Sequence, residues 1–444
     1  MNENVVKTLN YIKRNGLVAA IHAISERMND KAYLSYDFVD ISEEERLNQL
    51  SRGLEYKTSF SIAVPAYETP EEYMKALIDS VVRQTYASWE LVIADASKTD
   101  IVKNTVDKYV DKRIKYVKLE VNKGISGNTN EALKYCSNEY VALLDHDDVI
   151  TQDALYEMAK AISENREKGI TLQMLYSDED KTNAENTEFF QVHKKPKFNL
   201  DLILSNNYIC HFLVIKADLI RSCGLRSEYD GAQDYDLILR CISKIRKDSN
   251  EEGTASPEDV IFHIGKVLYH WRSHKNSTAL NPKSKEYAYA AGQRAIEDFL
   301  KRENIKATVK ELPPVGFYYT EYEPDIFTQR SDVGAVGCRV INKKGKVCGG
   351  VYDEDMNIMF EGLSRHNSGG YLHRAFCMQD VPFVNVKAMI PSDKGAEILS
   401  RVIRENSLED KDIDKINELF GKALKEEGLK IVYDPMVTMK EKDV

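Results

Sequence analysis

YVALLDHDDVI, residues 140–150, is an apolar run that ends in a cluster of charge. Tyr140 to Leu144 have the composition of a buried strand, whereas Asp145, Asp147 and Asp148 place three carboxylates within four residues. Carboxylates this close repel one another and are costly to desolvate. A strand that ends in this way predicts that a positively charged group binds at its end.

The same kind of strand recurs on the N-terminal side of this stretch, and helices separate the strands. Amphipathic helices are predicted for TPEEYMKALIDSVVRQTY, IVKNTVDKYV and SGNTNEALKYC. Strand and helix alternating at this spacing predict a three-layer α/β fold with an open, largely parallel sheet. The predicted strands are FSIAVPAY (60–67), WELVIAD (89–95), IKYVKLE (114–120) and YVALLD (140–145).

Polar residues follow three of these strands, at the edge where open α/β sheets bind ligands. Tyr67 and Glu68 follow the first strand, Asp95 ends the second, and Asp145 begins the acidic cluster of the fourth. The chain has neither a G-x-G-x-x-G dinucleotide loop after the first strand nor a G-x-x-x-x-G-K-[ST] loop. Carboxylate oxygens suit Mg²⁺ or Mn²⁺, and the pattern therefore favours a divalent ion that holds a diphosphate.

Composition limits the classes of protein that fit this chain of 444 residues. The net charge of -10 argues against a nucleic-acid-binding protein that neutralises phosphates over a broad surface. No run has the roughly 18 apolar residues of a membrane span, and the N-terminus lacks the apolar core of a signal peptide. The seven cysteines have no C-x-x-C spacing, which is typical of reduced thiols. We therefore expect a cytoplasmic protein.

Seven segments, taken in order, resemble family 2 glycosyltransferases with the GT-A fold, and most closely the subgroup that builds O-antigen and other bacterial surface polysaccharides. The resemblance covers about residues 58–300. It implies an inverting transfer of a sugar from a nucleotide diphosphate to a hydroxyl group. The segments are FSIAVPAYETPEEYMKALIDSVVRQTYASWELVIADAS, NKGISGNTNEAL, VALLDHDD, YSDEDK, NYICHFLV, GAQDYDLILR and VLYHWRSHKNSTA.

The resemblance assigns the acidic cluster to a Mn²⁺ or Mg²⁺ ion that neutralises the departing diphosphate. Asp147 or Asp148 matches the metal ligand, and Asp145 matches a residue that faces the ribose or the ion. In YHWRSH, His274 is the preferred histidine near the metal and His270 is its rival. A structural role for either histidine alone remains an equal alternative. Arg272 matches the basic residue on phosphate, which a guanidinium suits by its geometry.

The acceptor hydroxyl must lose a proton as it attacks, and the resemblance supplies a candidate general base. GAQDYDLILR matches the acidic motif of the family with Gln233 in the first place and Asp234 in the second, so Asp234 is the expected base. The alternative is that Asp234 and Asp236 are ordinary acids in the first turn of a helix. The resemblance places further residues near donor or acceptor: Pro65, Tyr67, Glu68, Asp95, Ser126, Asn130, Asp178, Glu179, Asp180, His211 and Gln233.

The chain departs from the family at two positions of the donor site. The second strand usually ends in paired aspartates, one of which contacts the nucleobase, but here Asp95 is followed by Ala96. Glu68 also stands where the family often has Asn. The choice between a UDP-sugar and a dTDP-sugar therefore stays open.

Two flanking segments lie outside the resemblance, which divides the chain into residues 1–55, 56–310 and 311–444. The first is predicted to be helical, with Ser42 as a helix N-cap. Its mixed basic and apolar stripe either packs on the protein, which we favour, or lies at a membrane surface. The last resembles the second half of another glycosyltransferase module without its nucleotide-binding half. We expect this α/β remnant to bind neither metal nor nucleotide, to pack against the catalytic domain or a second subunit as in a homodimer, and to fold poorly alone.

The main hypothesis is a metal-dependent glycosyltransferase that acts on a glycan or lipid-linked glycan acceptor. Its rival from another class is an inactive scaffold that keeps the fold within a polysaccharide-synthesis complex, and Ala96 is the best support for that rival. A nucleotidyltransferase is a weaker alternative, because VPAYETP lacks a glycine-rich phosphate loop. The sequence does not specify the donor sugar, the acceptor or the linkage.

Overall fold

The computed structural model divides the chain into two compact units. In the described part of the chain, residues 36–198 and 208–299 form the large unit, and residues 199–207 and 300–444 form the small unit. The small unit begins near Leu300 and includes nine residues from within the segment predicted to be catalytic, and the predicted boundary at residue 311 stays a prediction. The structure describes residues 36–253, 255–273, 286–313, 315–364 and 369–444.

The predicted N-terminal helical segment falls mostly outside the described residues, which begin at Tyr36. The helix predicted after Ser42 is confirmed and spans Glu43–Ser51. The Ser42 hydroxyl accepts a hydrogen bond from the backbone N–H of Glu45 at 3.1 Å, as an N-cap should. No helix among the described residues is long and apolar enough to cross a bilayer.

Helices occur in both units, and those of the described residues range from 4 residues (Leu200–Ile203) to 20 residues (Gln233–Glu252). In chain order they are α1 (Glu43–Ser51), α2 (Glu71–Val82), α3 (Ile101–Val106), α4 (Gly124–Leu133), α5 (Ala154–Arg166), α6 (Leu200–Ile203), α7 (Ala217–Cys223), α8 (Gln233–Glu252), α9 (Pro257–Val260), α10 (Glu286–Arg302), α11 (Ile326–Gln329), α12 (Asp393–Asn406) and α13 (Ile413–Glu426).

The large unit is built on one mixed sheet of nine strands, which confirms the predicted open α/β sheet. Its order is β3-β2-β1-β4-β8-β6-β9-β5, with β7 paired to β6. The strands β1 to β4 are parallel, whereas β8 is antiparallel to both of its neighbours. Their bounds are β1 (Phe60–Ala66), β2 (Trp89–Asp95), β3 (Ile114–Lys118), β4 (Tyr140–Leu143), β5 (Val149–Ile150), β6 (Met174–Thr182), β7 (Phe189–His193), β8 (Leu213–Lys216) and β9 (Ile261–Arg272).

The core of the large unit explains why the central strands are apolar throughout. Every residue of β1 and of β2 is buried, because strands at the centre of a covered parallel sheet expose neither face. Met74 and Leu77 of α2 pack in the same cluster as Ile62 and Leu91. This packing fixes the ends of β1, β2 and β4 side by side, and the polar residues after these strands are thereby brought to one edge.

The small unit has its own sheet and its own core, as the prediction of a smaller C-terminal α/β unit required. The strand order is β13-β12-β18-β15, and β17 pairs with β12. Ile398 of α12 and Phe420 of α13 belong to its largest hydrophobic cluster. The strands are β10 (Ala307–Glu311), β11 (Tyr318–Tyr322), β12 (Val333–Ile341), β13 (Val347–Gly349), β14 (Val351–Tyr352), β15 (Gln379–Val381), β16 (Phe383–Val384), β17 (Met389–Pro391) and β18 (Lys430–Lys440).

Residues 199–207 join the small unit through two polar contacts. The contact of Asn199 is partly buried, and the ion pair of Asp201 is almost completely buried. The Asn199 amide donates to the Asp380 carbonyl at 2.9 Å and accepts from its backbone N–H at 3.0 Å. The two oxygens of Asp201 accept from the Arg330 guanidinium at 3.1 and 3.2 Å. Burial alone would raise the pKa of Asp201, but Arg330 holds it below the ordinary value. A fragment that began at residue 311 would lack these partners, and its poor folding stays a prediction.

Replacing Arg330 with Met should strongly destabilise the small unit. The side chains of Arg330 and Asp201 are only 2% and 1% exposed, so the substitution would leave a buried carboxylate without its cation. Such a loss costs about 3–5 kcal/mol. We expect the urea midpoint to fall. Arg401→Met removes a surface ion pair with Glu427 and serves as the control, with little change expected. Equal stability of the two variants would contradict the structural role of Arg330.

Candidate active site

The acidic cluster lies on the turn that joins β4 to β5, at the predicted ligand edge of the sheet. Asp148 is buried, and both of its oxygens have partners: the Tyr269 hydroxyl donates to one, and the Arg272 backbone N–H donates to the other at 2.7 Å. Burial, Asp147 and Asp145 raise the pKa of Asp148 well above its ordinary value. Asp148 therefore ties the turn to β9, and its role as a direct metal ligand stays a prediction.

Asp145 and Asp147 are the carboxylates of this turn that remain accessible. The Asp145 side chain is 46% exposed, and its Oδ2 lies 3.8 Å from Nε2 of His211. Partial desolvation raises the pKa of Asp145 despite His211, and Asp147 and Asp234 add to the rise. Mutual repulsion of this kind is relieved when a cation binds. The oxygen donors of Asp145 and Asp147 fit Mg²⁺ or Mn²⁺, which hold phosphate oxygens in their remaining positions.

His211 lies at the centre of the site, just before β8. Its Nδ1 is 3.2 Å from Glu179, and its Nε2 is 3.6 Å from the Cys210 sulfur. The ring stacks on Tyr269 with centroids 4.6 Å apart and planes at 9°. Burial disfavours the imidazolium, but Cys210 and Glu179 raise the pKa of His211 well above its ordinary value. His211 thus lies between the carboxylates of Glu179 and Asp145.

Three basic side chains surround the carboxylate of Glu179. His193 and His211 each approach one of its oxygens to 3.2 Å, and the Lys195 ammonium donates to it at 3.2 Å. Burial alone would raise the pKa of Glu179, but Lys195 and the two histidines hold it well below the ordinary value. Glu179 thus lies among basic side chains within the site, and its place near the substrate stays a prediction.

The structure separates the two acids at the start of α8. Asp236 is fully buried and accepts hydrogen bonds from Arg226 at 3.1 Å and Arg240 at 2.9 Å, so it has a structural role. Asp234 is half-buried, and its Oδ2 lies 3.5 Å from the Cys210 sulfur, which donates to it. Asp234 therefore lies beside Cys210, the residue that precedes His211. The negative charge of Asp234 also helps to raise the pKa of Asp145.

Three residues predicted near donor, acceptor or metal have polar partners elsewhere in the fold. The Asp178 carboxylate lies 2.7 Å from Nε2 of His263. Asp180 lies 2.6 Å from Nδ1 of His270 and accepts from Tyr36 at 2.8 Å. Because β6 pairs Glu179 with Tyr269 and Asp180 with His270, consecutive residues face opposite sides. Asp178 and Asp180 thus lie against His263 and His270, and the site roles of Asp178, Asp180 and His270 stay predictions. His274 lies outside the described residues.

Arg272 is buried beneath the turn that carries the acidic cluster. Its guanidinium donates to the carbonyls of Asp147 and Ala184 and lies 4.6 Å from the centre of the Tyr73 ring. One terminal nitrogen, Nη2, is buried without a hydrogen-bond partner among the described residues. Burial lowers the pKa of Arg272 from its ordinary value. An orphaned guanidinium N–H at this edge fits the predicted contact with phosphate, which stays a prediction.

The residues after β1 and β2 form one hydrogen-bonded turn. Asp95 is fully buried and accepts from the Ser97 N–H at 2.8 Å, the Tyr116 hydroxyl at 2.7 Å and Lys118 at 3.2 Å. Glu68 accepts from the backbone N–H of Lys98 and from the hydroxyl of Thr99, both at 2.7 Å. These hydrogen bonds fix the backbone of the turn that follows the two strands. Pro65 is buried within β1, and the Tyr67 ring is 41% exposed.

Ser126, Asn130 and Gln233 make their hydrogen bonds within the fold. The Ser126 hydroxyl donates to Asp230 at 2.5 Å, and the Asn130 amide donates to the Leu225 carbonyl at 2.8 Å. The side-chain oxygen of Gln233 accepts from the Gly231 N–H at 2.8 Å. These contacts tie α4 and α8 to the loop around Asp230. A direct role in donor or acceptor binding stays a prediction for all three residues.

Four further residues contact the candidate site but are not predicted from the sequence: Lys195, Tyr269, His193 and Cys210. Tyr269 immediately precedes His270 in the segment IFHIGKVLYHWR, and Cys210 immediately precedes His211 in NYICHFLV, so both lay within quoted motifs. The alternation of β9 could have indicated that Tyr269 and His270 face opposite sides. Nothing in the local sequence distinguishes Lys195 from the neighbouring Lys194 and Lys197.

Comparison with known proteins gives the following similarities. Residues 61–224 match the model of the family described as Glycosyl transferase family 2. An uncharacterized protein y4gI of Sinorhizobium fredii is 36% identical over 63% of this chain and 29% of its own length. The O-antigen biosynthesis protein RfbC of Myxococcus xanthus is 29% identical over 62% of this chain and 20% of its own length.

A shorter match reaches a relative whose name states a reaction. The UDP-Glc:alpha-D-GlcNAc-diphosphoundecaprenol beta-1,3-glucosyltransferase WfgD of Escherichia coli is 43% identical over 20% of this chain and 35% of its own length. The crystal structure of S. aureus TarS 1-349 aligns with a TM-score of 0.41 and 22% identity over 55% of this chain and 65% of that chain. This chain thus spans no more than about a third of the curated relatives named here.

Proposed function

We propose that this chain, whose residues 61–224 belong to glycosyltransferase family 2, transfers a sugar from a nucleotide diphosphate to a hydroxyl group of a surface glycan. The observation that carries the proposal is the meeting of Asp145 and Asp234 around His211 at the ligand edge of the sheet. The carboxylate of Asp145 suits the diphosphate end of the donor, and that of Asp234 suits the attacking hydroxyl.

The donor would bind with its diphosphate against the acidic turn. Asp145 and Asp147 would hold a divalent ion, which supplies Lewis-acid stabilisation of the leaving diphosphate. A hydrogen bond from Nη2 of Arg272 to a phosphate oxygen would hold the diphosphate against the same acidic turn. The name of WfgD supports a UDP-sugar. The nucleobase contact would fall at the turn after β2, where Ala96 offers no polar side chain.

The acceptor would react in a single displacement that inverts the anomeric carbon. Its hydroxyl oxygen forms the new bond to that carbon while the bond from carbon to diphosphate oxygen breaks. The hydroxyl proton passes to Asp234, and the bonding electrons leave with the nucleotide diphosphate. Asp234 lies in the first turn of α8, half-buried and beside Cys210.

The acceptor class follows from the relatives and not from the site. RfbC is named for O-antigen biosynthesis and WfgD for a lipid-linked acceptor, which supports a glycan or lipid-linked glycan. We place the reaction in the cytoplasm, at the inner face of the cell membrane. The inactive scaffold remains the rival proposal.

A panel of nucleotide sugars separates the enzyme from the scaffold. We expect Mn²⁺-dependent hydrolysis or transfer with at least one UDP-sugar or dTDP-sugar, measured as release of the nucleoside diphosphate. Asp234→Asn and Asp145→Asn are the matched inactive variants. Nucleotide binding without turnover in the wild-type protein, across the whole panel and with glycan acceptors, would favour the scaffold.

A further inference from the structure

The side chain of Lys195 is completely buried in the large unit, among groups that belong to the candidate site. Its ammonium donates to the Ile209 carbonyl at 2.7 Å, to the His211 carbonyl and to Glu179 at 3.2 Å. A buried ammonium is costly unless each of its N–H groups has an acceptor. These three acceptors account for all three of its donors, so nothing else competes for the cation.

The backbone of Lys195 is held as firmly as its side chain. Its N–H donates to Asp178 at 2.8 Å, and Asp178 in turn lies 2.7 Å from His263 on β9. The lysine is therefore fixed to the rigid pair β6–β9 through Asp178 and through Glu179. From this fixed point its ammonium reaches the two carbonyls that flank Cys210.

The course of the chain explains why such a fixed point is needed. Lys195 and Ile209 are separated by 14 positions, and residues 199–207 between them belong to the small unit. A loop of this length costs conformational entropy to close, and bonds between its two ends offset that cost. Lys195 supplies two such bonds, in addition to the one that the Tyr208 hydroxyl donates to the Lys197 carbonyl at 3.3 Å, and joins the outgoing and returning segments at the point where His211 enters the site.

We propose that Lys195 is a positioning residue that holds the peptide of Cys210 and His211 in register with Asp145 and Asp234. It touches neither of these acids and acts through the carbonyls of Ile209 and His211. This inference rests on the proposed function of the site. Movement of a reacting group by about 1 Å can lower a rate by roughly 10²-fold, so the loss of the two carbonyl contacts should affect turnover.

Lys195→Met tests the proposal, because Met keeps the apolar stem and removes the ammonium. Lys197→Met is the matched control, since Lys197 is exposed and two positions away. The first readout is the alkylation rate of Cys210 with iodoacetamide, resolved by peptide mass spectrometry. We expect a rise of roughly tenfold in Lys195→Met, because local opening exposes groups that are otherwise protected, and no change in Lys197→Met. This readout needs no turnover and stays informative if the sugar panel finds no donor.

A double variant distinguishes a positioning role of Lys195 from simple neutralisation of the Glu179 carboxylate. Glu179→Gln in the Lys195→Met background removes the carboxylate that the lost cation would leave unpaired, which should recover thermal stability. The carbonyls of Ile209 and His211 stay unbound, so Cys210 should remain more reactive than in Glu179→Gln alone. Recovery of wild-type labelling and turnover would show that Lys195 only balances Glu179. Unchanged Cys210 labelling in folded Lys195→Met would also overturn the proposal.

Discussion

Asp234→Asn is expected to lower the turnover number by roughly 10²-fold or more, the usual contribution of a general base. The substitution keeps the shape of the side chain and its position at the start of α8. It removes the basicity that accepts the acceptor proton. The affinity for the nucleotide diphosphate should barely change, because Asp234 lies on the acceptor side of the proposed site.

The neighbouring Asp236 supplies the control for this experiment. Asp236→Asn should lower thermal stability, since the buried carboxylate joins Arg226 and Arg240. Steady-state turnover of Asp234→Asn at saturating donor and acceptor, with nucleotide affinity from calorimetry, gives the required comparison. Wild-type turnover in Asp234→Asn would remove it from the mechanism. A large loss of stability in that variant, without a specific loss of turnover, would assign it the same structural role as Asp236.

The second large effect concerns binding of metal and nucleotide at Asp145 and Asp147. We expect UDP with Mn²⁺ to raise the melting temperature by more than the sum of the separate shifts, because phosphate oxygens complete a shell that two carboxylates leave open. A ligand at 100 times its Kd stabilises the folded state by about 2.7 kcal/mol. Asp147→Asn should abolish the joint shift, whereas Asp107→Asn on the exposed end of α3 should preserve it.

Asp148→Asn should behave differently from Asp147→Asn, although the two residues are adjacent. Its oxygens already accept from Tyr269 and from the Arg272 N–H, so the variant should lower stability without ligand and keep a joint shift with UDP and Mn²⁺. Scanning fluorimetry of the four proteins, with and without each ligand, resolves these patterns. Separate and additive shifts from UDP and Mn²⁺ in the wild-type protein would contradict a shared site.

Local patterns were sufficient to predict much of the large unit. The alternation of apolar strands and amphipathic helices predicted β1 to β4 and the helices between them, because such periodicity reflects burial by near neighbours. The N-cap at Ser42 was predicted for the same reason, since a cap needs only residues within one turn. The nine-residue segment that joins the small unit could not be predicted, because its partners, such as Arg330 and Asp380, lie more than a hundred positions away.

The candidate site shows the same division between local and distant information. By itself the sequence determined that carboxylates gather at the end of β4 and at the start of α8, because strand ends and helix starts follow from local pattern. Only the tertiary structure decided how the two acids of each pair differ: Arg226 and Arg240 bind the fully buried Asp236 while Asp234 is half-buried, and Tyr269 binds the buried Asp148 while Asp147 stays partly exposed. Adjacent carboxylates are chemically alike, and they differ only through charges and donors that folding brings from distant parts of the chain.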